Sequence, residues 1–124
     1  MTGRHAILIV EDEGPIRALM VELFEHFGFE ALEASNGLSA MTIIHDRPDI
    51  QAMLTDVNMP GKPDGLALAR YVHARHSKCA IVVMSGYVQP KPGDLPSLAC
   101  FIKKPFRGSR VVALINGLIA RQAE

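Results

Sequence analysis

The 124-residue sequence has no tryptophan, only two cysteines and no surplus of charge of either sign. Its 13 Lys and Arg residues equal its 13 Asp and Glu residues, so it lacks the basic excess typical of proteins that bind nucleic acid or anionic membranes. Cys79 and Cys100 each lie in a short apolar run, which favours buried thiols over a redox pair. We therefore expect no direct contact with nucleic acid and no disulfide framework.

Long apolar runs are also missing. No stretch approaches the roughly 18 residues that cross a membrane, and the first five residues lack the apolar run of a signal peptide. Apolar residues nevertheless make up 48% of the chain and charged residues 21%, which is enough for a real core. We expect one domain over residues 1–124, a cytoplasmic location and no contact with a membrane.

Five short apolar runs alternate with amphipathic or turn-rich segments. They predict strands at Ala6 to Val10, Phe29 to Ala34, Ala52 to Thr55, Ala80 to Met84 and Leu98 to Ile102. The first and fourth runs have no polar alternation, as expected for strands that helices cover on both faces. The order of elements predicts an α/β fold with a parallel sheet, whose ligands collect beyond the carboxyl ends of the strands.

Apolar residues at spacings of three and four predict helices after the first, second, third and fifth strands. These helices are expected to begin at Pro15, near Asn36-Gly37, at Asp64-Gly65 and near Phe106, and the last extends to Gln122. In the last helix, Val112 and Ile119 widen the apolar stripe that includes Ile115. Extra core area and a partner face both explain this widening, and the second would make the region a homodimer contact.

Three acids, Glu11, Asp12 and Glu13, follow the first strand directly. A cation would offset their mutual repulsion, and a set of oxygen ligands without His or Cys suits a hard ion such as Mg²⁺ or Mn²⁺. A solvated acidic turn that favours the following helix N-terminus is an equally good explanation. The acidic run taken alone leaves both interpretations open.

Asp56 ends the third strand, which neighbours the first strand in a doubly wound sheet. We expect its carboxylate to lie at a turn beside Glu11 and Asp12, outside the core. An aspartate beside bound Mg²⁺ acts as a nucleophile toward phosphorus in some proteins, and as a passive metal ligand in others.

The fourth strand ends in Ser85-Gly86 and the fifth in Lys103-Lys104-Pro105. A Ser-Gly or Lys-Pro sequence more often forms an ordinary turn than a functional site. Together they place a hydroxyl and a phosphate-binding cation at the same sheet edge as the acids.

In combination these residues resemble the receiver domain of two-component response regulators across essentially the whole chain. Ile9-Val10-Glu11-Asp12 resembles the acidic pair of that family, Asp56 in Asp-Val-Asn-Met-Pro-Gly the phosphoacceptor, Ser85 the hydroxyl residue and Lys104 the lysine. The resemblance implies a flavodoxin-like fold of five strands in the order 2-1-3-4-5 with helices on both faces. It also implies a signalling module that catalyses only its own phosphorylation and dephosphorylation.

The resemblance further implies that Asp56 accepts a phosphoryl group from a sensor histidine kinase or a histidine phosphotransfer protein. Mg²⁺, or Mn²⁺ in its place, would be held by Asp12, Asp56 and the backbone carbonyl of Asn58, with Glu11 acting through water.

The switch residues are implied in the same way. Lys104 would contact the phosphoryl group, while Ser85 and Phe101 would reorient and change a protein-binding surface for a downstream target. A fixed core ring is the alternative for Phe101. Tyr87, two residues after Ser85, is expected to cover the site with its ring and restrict water.

One segment departs from the family pattern. Pro90, Pro92 and Pro96 lie between Tyr87 and Ser97, where the family has its fourth helix. Proline removes an N–H donor and clashes with the preceding turn, so this segment predicts a short, distorted or absent fourth helix. The output surface that includes this helix in the family is therefore expected to differ here.

Two other functions stay open at this point. One is a Mg²⁺-dependent phosphatase or phosphotransferase with Asp56 as nucleophile, although Asn58 stands where such hydrolases usually have a second acid. The other is a receiver that binds partners without phosphorylation, which would take up neither Mg²⁺ nor a phosphoryl analogue.

Overall fold

A computed structural model of the chain describes residues 4–87 and 89–122. The strands are β1 (Ala6–Val10), β2 (Glu30–Ala34), β3 (Ala52–Asp56), β4 (Ala80–Ser85) and β5 (Ala99–Lys103), and the helices are α1 (Gly14–His26), α2 (Gly37–Asp46), α3 (Gly65–Arg75) and α4 (Gly108–Gln122). All strand pairs are parallel and the sheet order is β2-β1-β3-β4-β5. The predicted fold class and strand order are confirmed, and no strand boundary differs from its prediction by more than one residue.

The sheet has a buried core on each face, because successive side chains of a strand point to opposite sides. One core contains Leu8, Met53 and Ile81 from the central strands and is covered by α2 and α3. The other contains Ile9 and Leu54 and is covered by α1 and α4. Every residue of β1, β3 and β4 is buried, which explains why β1 and most of β3 and β4 are apolar, with polar residues only at the carboxyl ends of β3 and β4.

Local capping defines where the helices begin and end. The Asn36 side chain accepts a 2.8 Å hydrogen bond from Ser39 N at the start of α2, and Asp64 accepts one of 2.9 Å from Ala67 N at the start of α3. Gly28, just after α1, has a φ of 89°, a conformation that glycine adopts without strain.

The wide apolar stripe of α4 belongs to the core. Val112 and Ile115 are 3% and 0% exposed, and Ile119 packs against the same core. The interpretation as extra core area is confirmed. Val112 and Ile115 are therefore unavailable as a dimer face, and the homodimer stays a prediction.

The segment between β4 and β5 consists of bends and turns. None of its described residues, 86–87 and 89–98, is helical. Of the three predicted outcomes, a short, distorted or absent fourth helix, these residues show the last. The segment is held by two contacts of Asp94, whose carboxylate accepts from Lys91 N at 2.7 Å and whose carbonyl accepts from Arg70 at 3.0 Å. The last helix of the chain is therefore α4.

In the part of the chain that the structure describes, no helix is both long and apolar enough to cross a membrane. Both cysteines are free thiols, with Cys79 buried and Cys100 half-buried. Burial raises the pKa of the Cys79 thiol to about 12, because the thiolate is desolvated.

We expect iodoacetamide to alkylate Cys79 at pH 9 at least about 100-fold more slowly in the folded chain than in urea, because only the thiolate reacts. Peptide mapping by mass spectrometry measures the rate, with half-buried Cys100 as internal comparison. The raised pKa also means that the stability linked to Cys79 is complete below pH 9 and is lost as the pH rises toward 12. Equal rates in the two states would contradict the buried position.

Gly65→Ala is expected to lower the free energy of unfolding by about 2 kcal/mol or more. A Cβ at Gly65 would lie 1.8 Å from the backbone oxygen of Asp56, and a 2.8 Å hydrogen bond from Gly65 N to Val57 O holds the two segments together. Gly117→Ala in α4 is the control, since its Cβ meets nothing within 4 Å and should stabilise the helix by about 0.5 to 1 kcal/mol. Urea unfolding distinguishes the two, and a neutral Gly65→Ala would contradict this close approach.

Candidate functional site

A cleft of about 750 Å³ lies at the carboxyl edge of the sheet, where the segments after β1, β3, β4 and β5 meet. Its lining includes Glu11, Asp12, Asp56, Asn58, Ser85 and Lys104. These are all the predicted site residues except Phe101. The structure thus brings together predicted residues from four separate stretches of chain, because parallel strands bring their carboxyl ends to one edge.

Asp56 is the last residue of β3 and is only 6% exposed. Its carboxylate oxygen Oδ1 lies 2.6 Å from the ammonium nitrogen Nζ of Lys104. The expectation that this carboxylate lies at a turn outside the core is wrong. Burial is tolerated because Lys104 supplies a countercharge at hydrogen-bond distance.

Glu11 is buried more completely, at 1% exposed. One carboxylate oxygen lies 3.4 Å from Lys104 Nζ, and the other accepts a 3.1 Å hydrogen bond from the backbone N–H of Glu13. The interpretation as a solvated acidic turn is therefore wrong for Glu11. It agrees with the position of Glu13, which is exposed.

Glu11, Asp12 and Asp56 form one cluster of carboxylates. Each offers an oxygen, and these three oxygens all lie within 4.8 Å of one another. Asp12 is exposed, and Asn58 is exposed at the rim of the cleft. An oxygen-only donor set with one solvent-facing member fits a hard divalent cation such as Mg²⁺, which keeps some of its water.

The pKa values of Glu11 and Lys104 are both shifted by burial and by their neighbours in the cluster. Burial raises the pKa of Glu11, and its hydrogen bond with Asp56 raises it further. Burial acts to lower the pKa of Lys104, but the hydrogen bond and the negative charge of Asp56, together with the charge of Glu11, outweigh it and raise the pKa. Lys104 is therefore charged at neutral pH.

Ser85 ends β4 and is 4% exposed. Its hydroxyl oxygen accepts a 3.2 Å hydrogen bond from Tyr87 N, and its carbonyl accepts one of 3.0 Å from Lys104 N. The Tyr87 side chain is 96% exposed, so the expectation that its ring covers the site is wrong in this structure. Tyr87 belongs to the lining of the cleft, but a residue this exposed leaves the site open to solvent.

Phe101 lies in β5 opposite Val83 and is partly buried. Its ring lines a smaller cleft of about 150 Å³ beside Ser85 and Tyr87. The ring is neither sealed in the core nor free in solvent, and its role as a switch stays a prediction.

Two residues that support the site were missed at the sequence level. Arg17 NH1 donates a 2.8 Å hydrogen bond to the backbone carbonyl of Glu11, and Gly65 packs against the backbone of Asp56. The available signal for Arg17 was its position one turn into a predicted helix, from which a side chain leans back toward the acidic run.

The comparisons with known proteins agree with this geometry. The family model of the response regulator receiver domain matches residues 7–116. The chain is 34% identical over 82 residues to "Sporulation initiation phosphotransferase F" of Bacillus subtilis (strain 168), an alignment that covers 65% of this chain and 64% of that protein. It is 33% identical over 127 residues to "Phosphate regulon transcriptional regulatory protein PhoB" of Pseudomonas aeruginosa, with 98% of this chain and 54% of that protein covered.

Among solved structures, the chain is similar to the receiver domain from the hybrid histidine kinase CckA. The TM-score is 0.80 at 27% identity, with 92% of this chain and 98% of that chain covered. The chain spans less than two thirds of the length of each of these two curated relatives. Because the family model covers most of its length, the chain belongs to the response regulator receiver domain family.

Proposed function

We propose that this chain is a phosphoacceptor module of a two-component phosphorelay, with Asp56 as the residue that is phosphorylated. The donor would be a phosphohistidine on a sensor histidine kinase or on a histidine phosphotransfer protein. The observation that carries the proposal is the position of the Asp56 carboxylate, which is 2.6 Å from Lys104 Nζ and belongs to a cluster of three carboxylates within 4.8 Å.

The transfer follows from the chemistry of these groups. A carboxylate oxygen of Asp56 attacks phosphorus, an O–P bond forms, and the N–P bond to the partner's imidazole breaks with its electron pair left on nitrogen. Lys104 is charged and adjacent, so it stabilises the negative charge that the phosphoryl group brings.

Asp12, Asp56 and the backbone carbonyl of Asn58 would hold Mg²⁺ or Mn²⁺, with Glu11 acting through water. The bound ion would offset charge on the phosphoryl oxygens and align them with the nucleophile. Without a cation, two buried carboxylates and exposed Asp12 face the single ammonium of Lys104, which leaves this cluster with net negative charge. That imbalance supports a site for a divalent cation.

Phosphorylation would act on Lys104 and Ser85, because the new group competes for the ammonium that now contacts Asp56. The Ser85 carbonyl accepts a hydrogen bond from Lys104 N and its hydroxyl accepts one from Tyr87 N, so a change at Ser85 would reach the segment after β4. We propose that this segment and the Phe101 ring form the surface that a downstream protein recognises. A single domain, a cytoplasmic location and a homodimer are further predictions.

Incubation with acetyl phosphate and Mg²⁺ should add one phosphoryl group of about 80 Da to the wild-type chain, as read by intact mass. Asp56→Asn should abolish the gain, because the amide is not a nucleophile toward phosphorus. Asp46→Asn, an exposed aspartate at the end of α2, is the matched control and should be phosphorylated like the wild type.

Three results would contradict the proposal in different ways. A phosphoryl gain that persists in Asp56→Asn would mean another acceptor. Multiple turnover of p-nitrophenyl phosphate that depends on Asp56 would indicate the phosphatase. No gain in mass and no binding of beryllofluoride would indicate a receiver that works without phosphorylation.

Asp12→Asn should weaken Mn²⁺ binding about tenfold or more, because a charged oxygen ligand is replaced by a neutral one. Isothermal titration calorimetry on the unphosphorylated chain measures the dissociation constant. Glu25→Gln, an exposed acid on α1, is the control for loss of negative charge. Equal weakening in both variants would point to a diffuse charge effect and contradict a site at Asp12.

A further inference from the structure

Arg17 links the turn after β1 to strand β2. Its NH1 group donates a 2.8 Å hydrogen bond to the backbone carbonyl of Glu11, and its Nε donates one of 2.9 Å to Glu33 Oε1. Its side chain is 21% exposed, whereas that of Glu33 is 54% exposed. We propose that Arg17 is a positioning residue for the metal-binding carboxylates, an inference that rests on the proposed function.

The carbonyl that Arg17 holds belongs to the peptide unit between Glu11 and Asp12. That unit is planar and rigid, so fixing its oxygen also fixes the direction in which the backbone enters Asp12. Asp12 is the exposed carboxylate of the cluster. The entropy cost of ordering an exposed side chain is smaller when its backbone is already fixed.

The rest of Glu11 is held by other parts of the fold. Its backbone N–H donates a 3.1 Å hydrogen bond to Ala34 O, and its two carboxylate oxygens contact Lys104 and the N–H of Glu13. The bond from Arg17 to its carbonyl completes the set. The turn between β1 and α1 is therefore held against both β2 and the lysine after β5.

The guanidinium geometry suits this task. Arg17 lies in the first turn of α1, where its backbone N–H bonds to Glu13 O at 2.9 Å, and its side chain leans back toward the helix start. The planar fork lets two nitrogens serve two acceptors at once. The ammonium group of a lysine at this position would keep the charge without the fixed angle between the two hydrogen bonds.

The direction in which metal affinity changes when Arg17 is removed distinguishes a positioning role from an effect of its charge alone. A nearby positive charge repels a divalent cation, so if Arg17 acted only through its charge, its removal would strengthen metal binding. If Arg17 positions the turn, its removal weakens binding, because Asp12 must then be ordered when the metal binds. Groups that orient metal ligands in this way typically change affinity by about 10- to 100-fold.

The experiment measures Mn²⁺ dissociation constants by isothermal titration calorimetry for the wild type, three single variants, the double variant Arg17→Gln/Glu33→Gln and one control variant. Arg17→Gln should weaken Mn²⁺ binding about tenfold, and Arg17→Lys should weaken it by less. Glu33→Gln should also weaken binding by less than Arg17→Gln, because it leaves Arg17 in place even though it removes a negative charge. The double variant should bind no more weakly than Arg17→Gln alone, because both changes break one linkage. Arg121→Gln, an exposed arginine of α4, is the matched control and should bind like the wild type.

Thermal unfolding without metal accompanies each titration, so that only folded variants are compared. Unchanged or tighter Mn²⁺ binding by Arg17→Gln, with normal binding by the wild type, overturns the positioning role and leaves the proposed function intact. Absence of Mn²⁺ binding in the wild type overturns both. Weaker binding in Arg17→Gln, with a smaller loss in Arg17→Lys, supports the inference.

Discussion

The contact between the Lys104 ammonium and the Asp56 carboxylate, 2.6 Å apart, is the interaction on which the cleft depends. Two carboxylates, those of Asp56 and Glu11, are buried at one sheet edge, and a buried carboxylate costs several kcal/mol unless a countercharge meets it. Lys104 meets both. With Asp12, the cluster holds three carboxylates against the one ammonium of Lys104 and is two positive charges short, which favours a divalent cation.

The strand order makes this contact available. Lys104 follows β5, which pairs with β4 and not with β3, so its side chain crosses the end of β4 to reach Asp56. The backbone hydrogen bond from Lys104 N to Ser85 O, 3.0 Å long, holds the lysine at that crossing. Ser85 therefore lies between Asp56 and Lys104 as a direct result of the sheet order. Under the proposed function, a charge change at Asp56 would reach the segment after β4 by a short route.

Much of the fold was predictable because its signals are local. Buried parallel strands read as apolar runs, and Asn36 and Asp64 identify helix starts by caps that they form within three residues. The absence of helical residues in the described part of 86–98 follows from prolines that remove backbone donors. The sequence left two explanations open for the α4 stripe, and burial of Val112 favours extra core area, because periodicity alone does not tell how far a neighbouring sheet extends over a helix.

The sequence by itself determined the elements, their order and the identity of the residues at the carboxyl edge, because residue type and spacing act over short distances along the chain. Only the tertiary structure decided that Glu11 and Asp56 are buried, that the Tyr87 ring points into solvent, and that Arg17 joins the turn after β1 to β2. Burial, pKa shifts and hydrogen bonds across strands depend on atoms far apart in sequence. Their positions are fixed only when the sheet and both layers of helices are in place.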